Sequence, residues 1–217
     1  MKRFSGAMMA LLGTALLPTA ASAVQIPDRG VYVGVYGGVH LSLDDWALGD
    51  LEQGAKTVDD GGAVGLRVGA HMAKWVGLEI NAGYIPTSTT DDDKIHALDA
   101  GFDLYFQATS GRVGVYAMGG SGIYTALAGA TGTDVDWQAN VGLGVKVMTN
   151  DWMDVRIDAR HLFTDGLDDN AYNLELTLGI DFWAWRETED TDRDGIADKV
   201  DDCPTVFGVA SAKGCPS

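Results

Sequence analysis

Residues 30–43 read GVYVGVYGGVHLSL. In an extended chain successive side chains point to opposite faces. Val31, Val33, Val35, Val39, Leu41 and Leu43 therefore share one face, and Tyr32, Gly34, Tyr36, Gly38, His40 and Ser42 share the other. The pattern predicts a strand with one greasy side and one side of small, aromatic and polar groups. The same alternation returns at 61–72, 75–85, 96–107, 112–124, 136–148, 153–163 and 171–183. Long connections at 44–60, 86–95, 125–135 and 164–170 interleave with short ones at 73–74, 108–111 and 149–152. This predicts an all-β fold, an eight-stranded antiparallel up-and-down barrel with loops at one end and tight turns at the other.

Which face points outward decides the barrel's surroundings. No Asp, Glu, Lys or Arg falls on the apolar face. The opposite face carries Arg67, Glu79, Asp99, Asp103, Lys146, Asp154, Arg156, Asp158, Arg160, Glu175 and Asp181. A soluble barrel would turn the apolar face inward, and three features favour the inverse. The polar face is rich in glycine, as a narrow interior that must seat charged groups requires. Trp75, Trp152, Trp183 and Trp185 fall at short turns or at the last strand's end, which predicts an aromatic girdle at one rim. Strands of this length also suit a tilted crossing of the hydrocarbon layer, making the barrel transmembrane. The enclosed charges then need partners. Hairpin geometry suggests Arg67 with Glu79 and Arg160 with Glu175, with Lys146 and Arg156 as the other lumen cations. An eight-stranded interior is only wide enough for side chains to fill, so a plug of ion pairs is expected, with a narrow ion-conducting path as the rival.

Composition agrees with export and excludes other classes. The 217 residues carry 31 acidic against 15 basic side chains, a formal charge of −16, which excludes nucleic acid as a partner. Residues 1–23 place Lys2 and Arg3 before an apolar stretch from Gly6 to Leu17 and then Ala21-Ser22-Ala23. That order predicts a secretory signal peptide cleaved after Ala23. Outside the cytoplasm the only two cysteines, Cys203 and Cys215, are expected to pair.

After Trp185 the composition shifts, and a second unit of residues 187–217 is expected. Counting from Asp190 as position 1, carboxylates stand at 1, 3, 5, 9 and 12 (Asp190, Asp192, Asp194, Asp198 and Asp201), Gly195 at 6, and Ile196 at 7 can offer its carbonyl. Alternate inward side chains and a glycine at the sharp turn are what a Ca²⁺ loop of hard oxygen ligands needs. An EF-hand would want Glu at position 12 and helices on both sides, and this chain has neither. The continuation Asp201-Asp202-Cys203-Pro204 to Gly214-Cys215-Pro216 resembles a thrombospondin type 3 repeat. That resemblance implies calcium ligation by Asp190, Asp192, Asp194, Ile196, Asp198 and Asp201.

The last strand, Glu175-Leu-Thr-Leu-Gly-Ile-Asp-Phe-Trp183, ends in aromatics. It resembles the C-terminal strand of bacterial outer membrane barrels, which the barrel assembly machinery reads. Residues 24–186 resemble the N-terminal barrel of the outer membrane protein A family. In that family such repeats commonly link the barrel to a peptidoglycan-binding domain. The chain given ends at Ser217, so peptidoglycan binding is not assigned. The resemblance implies an outer membrane location with both termini in the periplasm, lipid as solvent, and loops, including 44–60 with Trp46, as the surfaces for external ligands.

Enzyme chemistry is not expected. Some barrels of this kind modify lipids, yet Ser42, His40, His71, His96, His161 and Asp99 carry no nucleophile motif such as Gly-x-Ser-x-Gly. Gly119-Gly120-Ser121-Gly122 lies within a strand pattern and is read as strand glycines. A structural or interaction role with a calcium-binding tail is the expectation, and calcium-dependent adhesion through that tail is a further rival.

Overall fold

A computed structural model describes residues 26–43, 47–48, 56–89, 94–128, 135–165, 170–187, 191–192, 194, 196, 198 and 201–216. The wall strands are β1 (Gly30–Ser42), β4 (Gly61–Ala73), β5 (Val76–Ser88), β6 (Lys94–Ser110), β7 (Val113–Ala128), β8 (Val135–Asn150), β9 (Met153–Asp165) and β10 (Asn170–Arg186). A two-stranded ribbon, β2 (Ala47–Leu48) with β3 (Lys56–Thr57), belongs to the first long connection. The wall is a closed 8-stranded antiparallel barrel in the order β1-β10-β9-β8-β7-β6-β5-β4, closed by β1 against β4. Each expected strand is present, and the longest reach 17 residues in β6 and β10. Both run past the expected bounds at each end, to Lys94 and Ser110 in β6 and to Asn170 and Arg186 in β10.

The faces divide as the alternation dictates. Leu143 and Ile80 are 67% and 62% exposed on the outside, while Arg67, Glu79 and Arg156 are enclosed. A continuous outer surface of Val, Leu, Ile and Phe is far larger than the apolar patches that soluble monomers expose. Aromatic rings ring both ends of this surface. At the turn end Trp75 stacks on Phe106 and Trp152 on Phe182, with centroids 6.0 and 5.7 Å apart. At the loop end Trp137 and Tyr172 are exposed, and His161 stacks on Tyr172.

Trp183 departs from the expected girdle. It is buried in the lumen, where Nε1 donates to Asp154 Oδ2 at 2.8 Å. The alternation places it on the same face as Asp181. A register shift opposite Val31 and Tyr32 then adds one residue, Ala184, and flips Trp185 outward.

Inside, each of four tyrosines lies over a glycine directly across the ladder: Tyr36 over Gly65, Tyr32 over Gly69, Tyr105 over Gly77 and Tyr116 over Gly144. A Cβ on any of these glycines would collide with the ring of its partner. The glycines of the polar face are therefore seats for rings, which lets a narrow barrel close around large side chains. Gly65→Val should destabilise the barrel by about 1–3 kcal/mol through overpacking. The Gly65→Val/Tyr36→Ala double variant should lose less than the sum of the singles, measured as urea midpoints of the folded, heat-modifiable band.

Candidate functional site

The centre of the lumen is a network of three guanidinium groups and four carboxylates. Arg156 and Asp158 stand two residues apart on β9 and so face inward together. Arg156 Nε and Nη2 each lie 3.1 Å from a different Asp158 oxygen. Its Nη1 donates to Glu79 Oε2 on β5 at 2.6 Å and to Asp181 Oδ2 on β10 at 3.3 Å. From β4, Arg67 reaches Asp158 at 2.9 Å and Asp181 at 3.0 Å. Arg160 reaches Glu79 and Asp103, both at 3.2 Å. Tyr32 donates to Glu79 at 2.7 Å, Tyr116 donates to Asp158, and Asn81 Nδ2 donates to Asp103 at 2.8 Å. Arg67 and Arg156 also lie over the rings of Tyr36 and Tyr116, with 5.1 and 5.0 Å to the centroids. Arginine suits these places, because its planar fork bonds two partners while its face stacks on a ring.

The pairings expected from hairpin geometry are partly rearranged. Arg67 Nη1 is 3.9 Å from Glu79, yet its shorter contacts go across the barrel to Asp158 and Asp181. Arg160 faces Glu175 in the ladder, but its ion pairs are with Glu79 and Asp103, while Glu175 lies 3.8 Å from His40 Nδ1. A long side chain in a narrow barrel reaches across the lumen as easily as to the next strand. Strand-neighbour logic misses such contacts.

Lys146 faces Arg156 across the β8–β9 ladder and shares the Tyr116 ring with it. Its ammonium lies over Tyr105, Tyr116 and Tyr32, at 4.7, 5.0 and 5.5 Å from the centroids, and 3.2 Å from His71 Nε2. The cation is held by ring faces. Asp136, which the alternation reading left out because it began that strand at its edge, also points inward and is buried.

The histidines and serine considered for catalysis are dispersed. His40 is buried beside Glu175 and edge-on to Tyr124. The backbone N–H of Ser42 donates to Asp60 at 2.9 Å. His96 stacks on Tyr84, His161 packs with Phe163 and Tyr172, and His71 belongs to the turn end.

In the tail, Asp192, Asp194 and Asp201 bring carboxylate oxygens within 4.8 Å of one another. Asp201 Oδ1 accepts from Cys203 N at 2.6 Å, and its buried Oδ2 has no hydrogen-bond partner among the described residues. Asp194 accepts from Ile196 N and from Gly208 N, at 2.9 and 3.0 Å. Asp198 instead receives the hydroxyl and N–H of Thr191, at 2.5 and 2.7 Å, which hold its carboxyl below the ordinary range. Asp190 lies outside the described residues, as do Trp46 and residues 129–134 of the long connections. Cys203 and Cys215 form a disulfide.

The sequence profile of the outer membrane protein beta-barrel domain matches residues 9–182. Among solved structures, Neisserial surface protein A is similar with a TM-score of 0.53 at 13% identity, covering 71% of this chain and 96% of that one. The N-terminal β-barrel domain of Pseudomonas aeruginosa OprF, at 14% identity and a TM-score of 0.48, covers 72% of this chain and 98% of its own. OprG of the same organism, at 15% identity and a TM-score of 0.48, covers 76% of this chain and 100% of its own. No curated protein matches the chain.

Removing one cation from the lumen leaves buried carboxylates uncompensated. Arg156→Met should destabilise the folded barrel by about 3–5 kcal/mol, read as a fall in the urea midpoint. Arg156→Lys should recover only part of the loss, because an ammonium cannot bridge Asp158 with two parallel donors.

Proposed function

The chain belongs to the outer membrane protein beta-barrel domain family, and on that premise we propose that it is a sealed, non-enzymatic structural and interaction protein of the bacterial cell envelope. Its turns and termini lie in the periplasm, its long connections face outward, and its tail binds calcium.

The observation that carries the sealed reading is the layering of the lumen. The ionic network is capped at the loop end by an apolar cluster that includes Val58, Ile85, Ile95, Ala97 and Leu162. At the turn end it is capped by Ile26, Tyr32, Met148 and Trp183. Ions cross apolar constrictions poorly, and the arginines between the caps pair with carboxylates of the network. Such an interior holds a barrel together, which argues against the conducting rival.

The tail's donor set fits a hard divalent cation. Calcium takes carboxylate and carbonyl oxygens at about 2.3–2.6 Å, so ligands on opposite sides of one ion stand roughly 5 Å apart. The spacing of Asp192, Asp194 and Asp201 agrees, and the orphaned Asp201 Oδ2 is an oxygen in want of a cation. Asp194 is tied to Gly208 inside the disulfide loop, and Asp202 N donates to Lys213 O at 2.9 Å. The loop thereby holds the carboxylates in place. Bound calcium would supply the positive charge that lets these acids stay close together.

Protease treatment of intact cells should cleave the long connections and spare residues 187–217. Cleavage within the tail would overturn the proposed topology and revive the adhesion rival. Calorimetric calcium titration of the folded full chain should show binding at roughly 10⁻⁴ to 10⁻³ M, the range of extracytoplasmic sites. Asp201→Asn should weaken it about tenfold or more, by loss of a charged ligand, and absence of heat at millimolar calcium would defeat the assignment.

A further inference from the structure

The segment leading into β1 is outside the barrel wall, yet its first described residues are buried. Ile26 packs with Tyr32, Met148 and Trp183, and its N–H donates at 3.2 Å to the carbonyl of Gly111 in the β6–β7 turn. A Cβ on Gly114 would lie 2.7 Å from Ile26 Cδ1, so the missing side chain there makes room for the isoleucine. The carbonyl of Pro27 can only accept, and it lies 3.0 Å from His71 Nδ1. Nδ1 therefore carries the proton, and His71 Nε2 is left to accept from Lys146 Nζ at 3.2 Å. Toward solvent, Asp28 pairs with Lys74 of the β4–β5 turn at 3.6 Å, and the carbonyl of Arg29 accepts from Glu187 N at 2.8 Å. The segment is thus fastened to two turns and to the end of β10, and it lies between the turn-end solvent and the Lys146 ammonium.

We propose that Ile26–Arg29 is a detachable cork: it closes the turn-end mouth of the lumen, seated by the apolar contact of Ile26 and by the Pro27–His71 hydrogen bond. The cork completes the turn-end cap of Tyr32, Met148 and Trp183, and without it aqueous solutes reach Lys146. Its seating contacts belong to no strand ladder, so it can lift without unzipping the barrel. Each cap takes one residue from outside the wall strands, Ile26 at the turn end beside Tyr32, Met148 and Trp183, and Val58 at the loop end beside Ile85, Ile95, Ala97 and Leu162 among others. The segment is held by a few contacts, and its burial is worth about one isoleucine side chain.

The test uses the leader-free full chain folded in detergent micelles, so it does not depend on orientation in a membrane. The probe is sulfo-N-hydroxysuccinimide acetate, a water-soluble acylating reagent, with mass spectrometry of the Lys146 peptide referenced to exposed Lys94. In the parent protein and in Ile26→Val, Lys94 should be acetylated while Lys146 stays unmodified. In Ile26→Asp and the milder Ile26→Ala, Lys146 acetylation should rise by about tenfold or more, the equilibrium shift that losing a buried aliphatic side chain allows. A heat-dependent gel shift reports that each variant still forms the barrel. Equal protection of Lys146 in the parent and both disruptive variants would overturn the inference, as would ready acetylation in the parent. Failure of both disruptive variants to fold would also overturn it, since the segment would then be part of the wall's own stability.

Discussion

The structure turns on the exclusion of water from charged groups inside a narrow barrel. Taking a guanidinium or carboxylate out of water costs several kcal/mol even after relaxation, and the strands bring Arg67, Arg156, Arg160, Glu79, Asp103, Asp158 and Asp181 into one such space. The fold answers with shared ligation. Asp158 receives Arg67, Arg156 and Tyr116, and Glu79 receives Arg156, Arg160 and Tyr32. The cations and acids come from β4, β5, β6, β9 and β10, so the network ties most of the circumference together. The tyrosine-over-glycine seats follow from the same need, since rings fill the space between charges and present their faces to the cations.

The tail meets the opposite electrostatic problem. In the lumen, negative charge is met by arginines supplied from the same chain. Around Asp192, Asp194 and Asp201 part of the charge is met by backbone N–H groups. One acidic cluster is met by arginines inside the barrel. The other gathers carboxylates that, on the proposed reading, a bound cation would hold together.

Much of this was legible in the chain. The two-residue period from Val31 to Leu43 and its recurrences fixed the strand number, the long-and-short order of the connections and the face assignment, because alternation is a local property of an extended backbone. The lumen charges could be named for the same reason. Their partners could not, since Arg67 to Asp158 and Arg160 to Asp103 are contacts across the barrel, between residues that no hairpin juxtaposes. Trp183 was misplaced because its rim position suggested a girdle, although its parity with Asp181 already pointed inward. Ile26 and Pro27 carried a faint signal, an apolar pair shortly before the first strand, with no periodicity to say where it docks.

The seam between β1 and β10 has a consequence for how the molecule comes into being. Tyr32 meets Trp183 and His40 meets Glu175, so the first wall strand finds one neighbour only after the last has been synthesised. Until then β1 offers an open edge, and the arginines of β9 lack the carboxylate that β10 brings. Contacts of such long sequence separation make for slow maturation, and an incomplete sheet with a bare edge is prone to join other chains. A nascent copy therefore needs shelter until its final residues arrive, and a shortened product missing them should be cleared as misfolded waste.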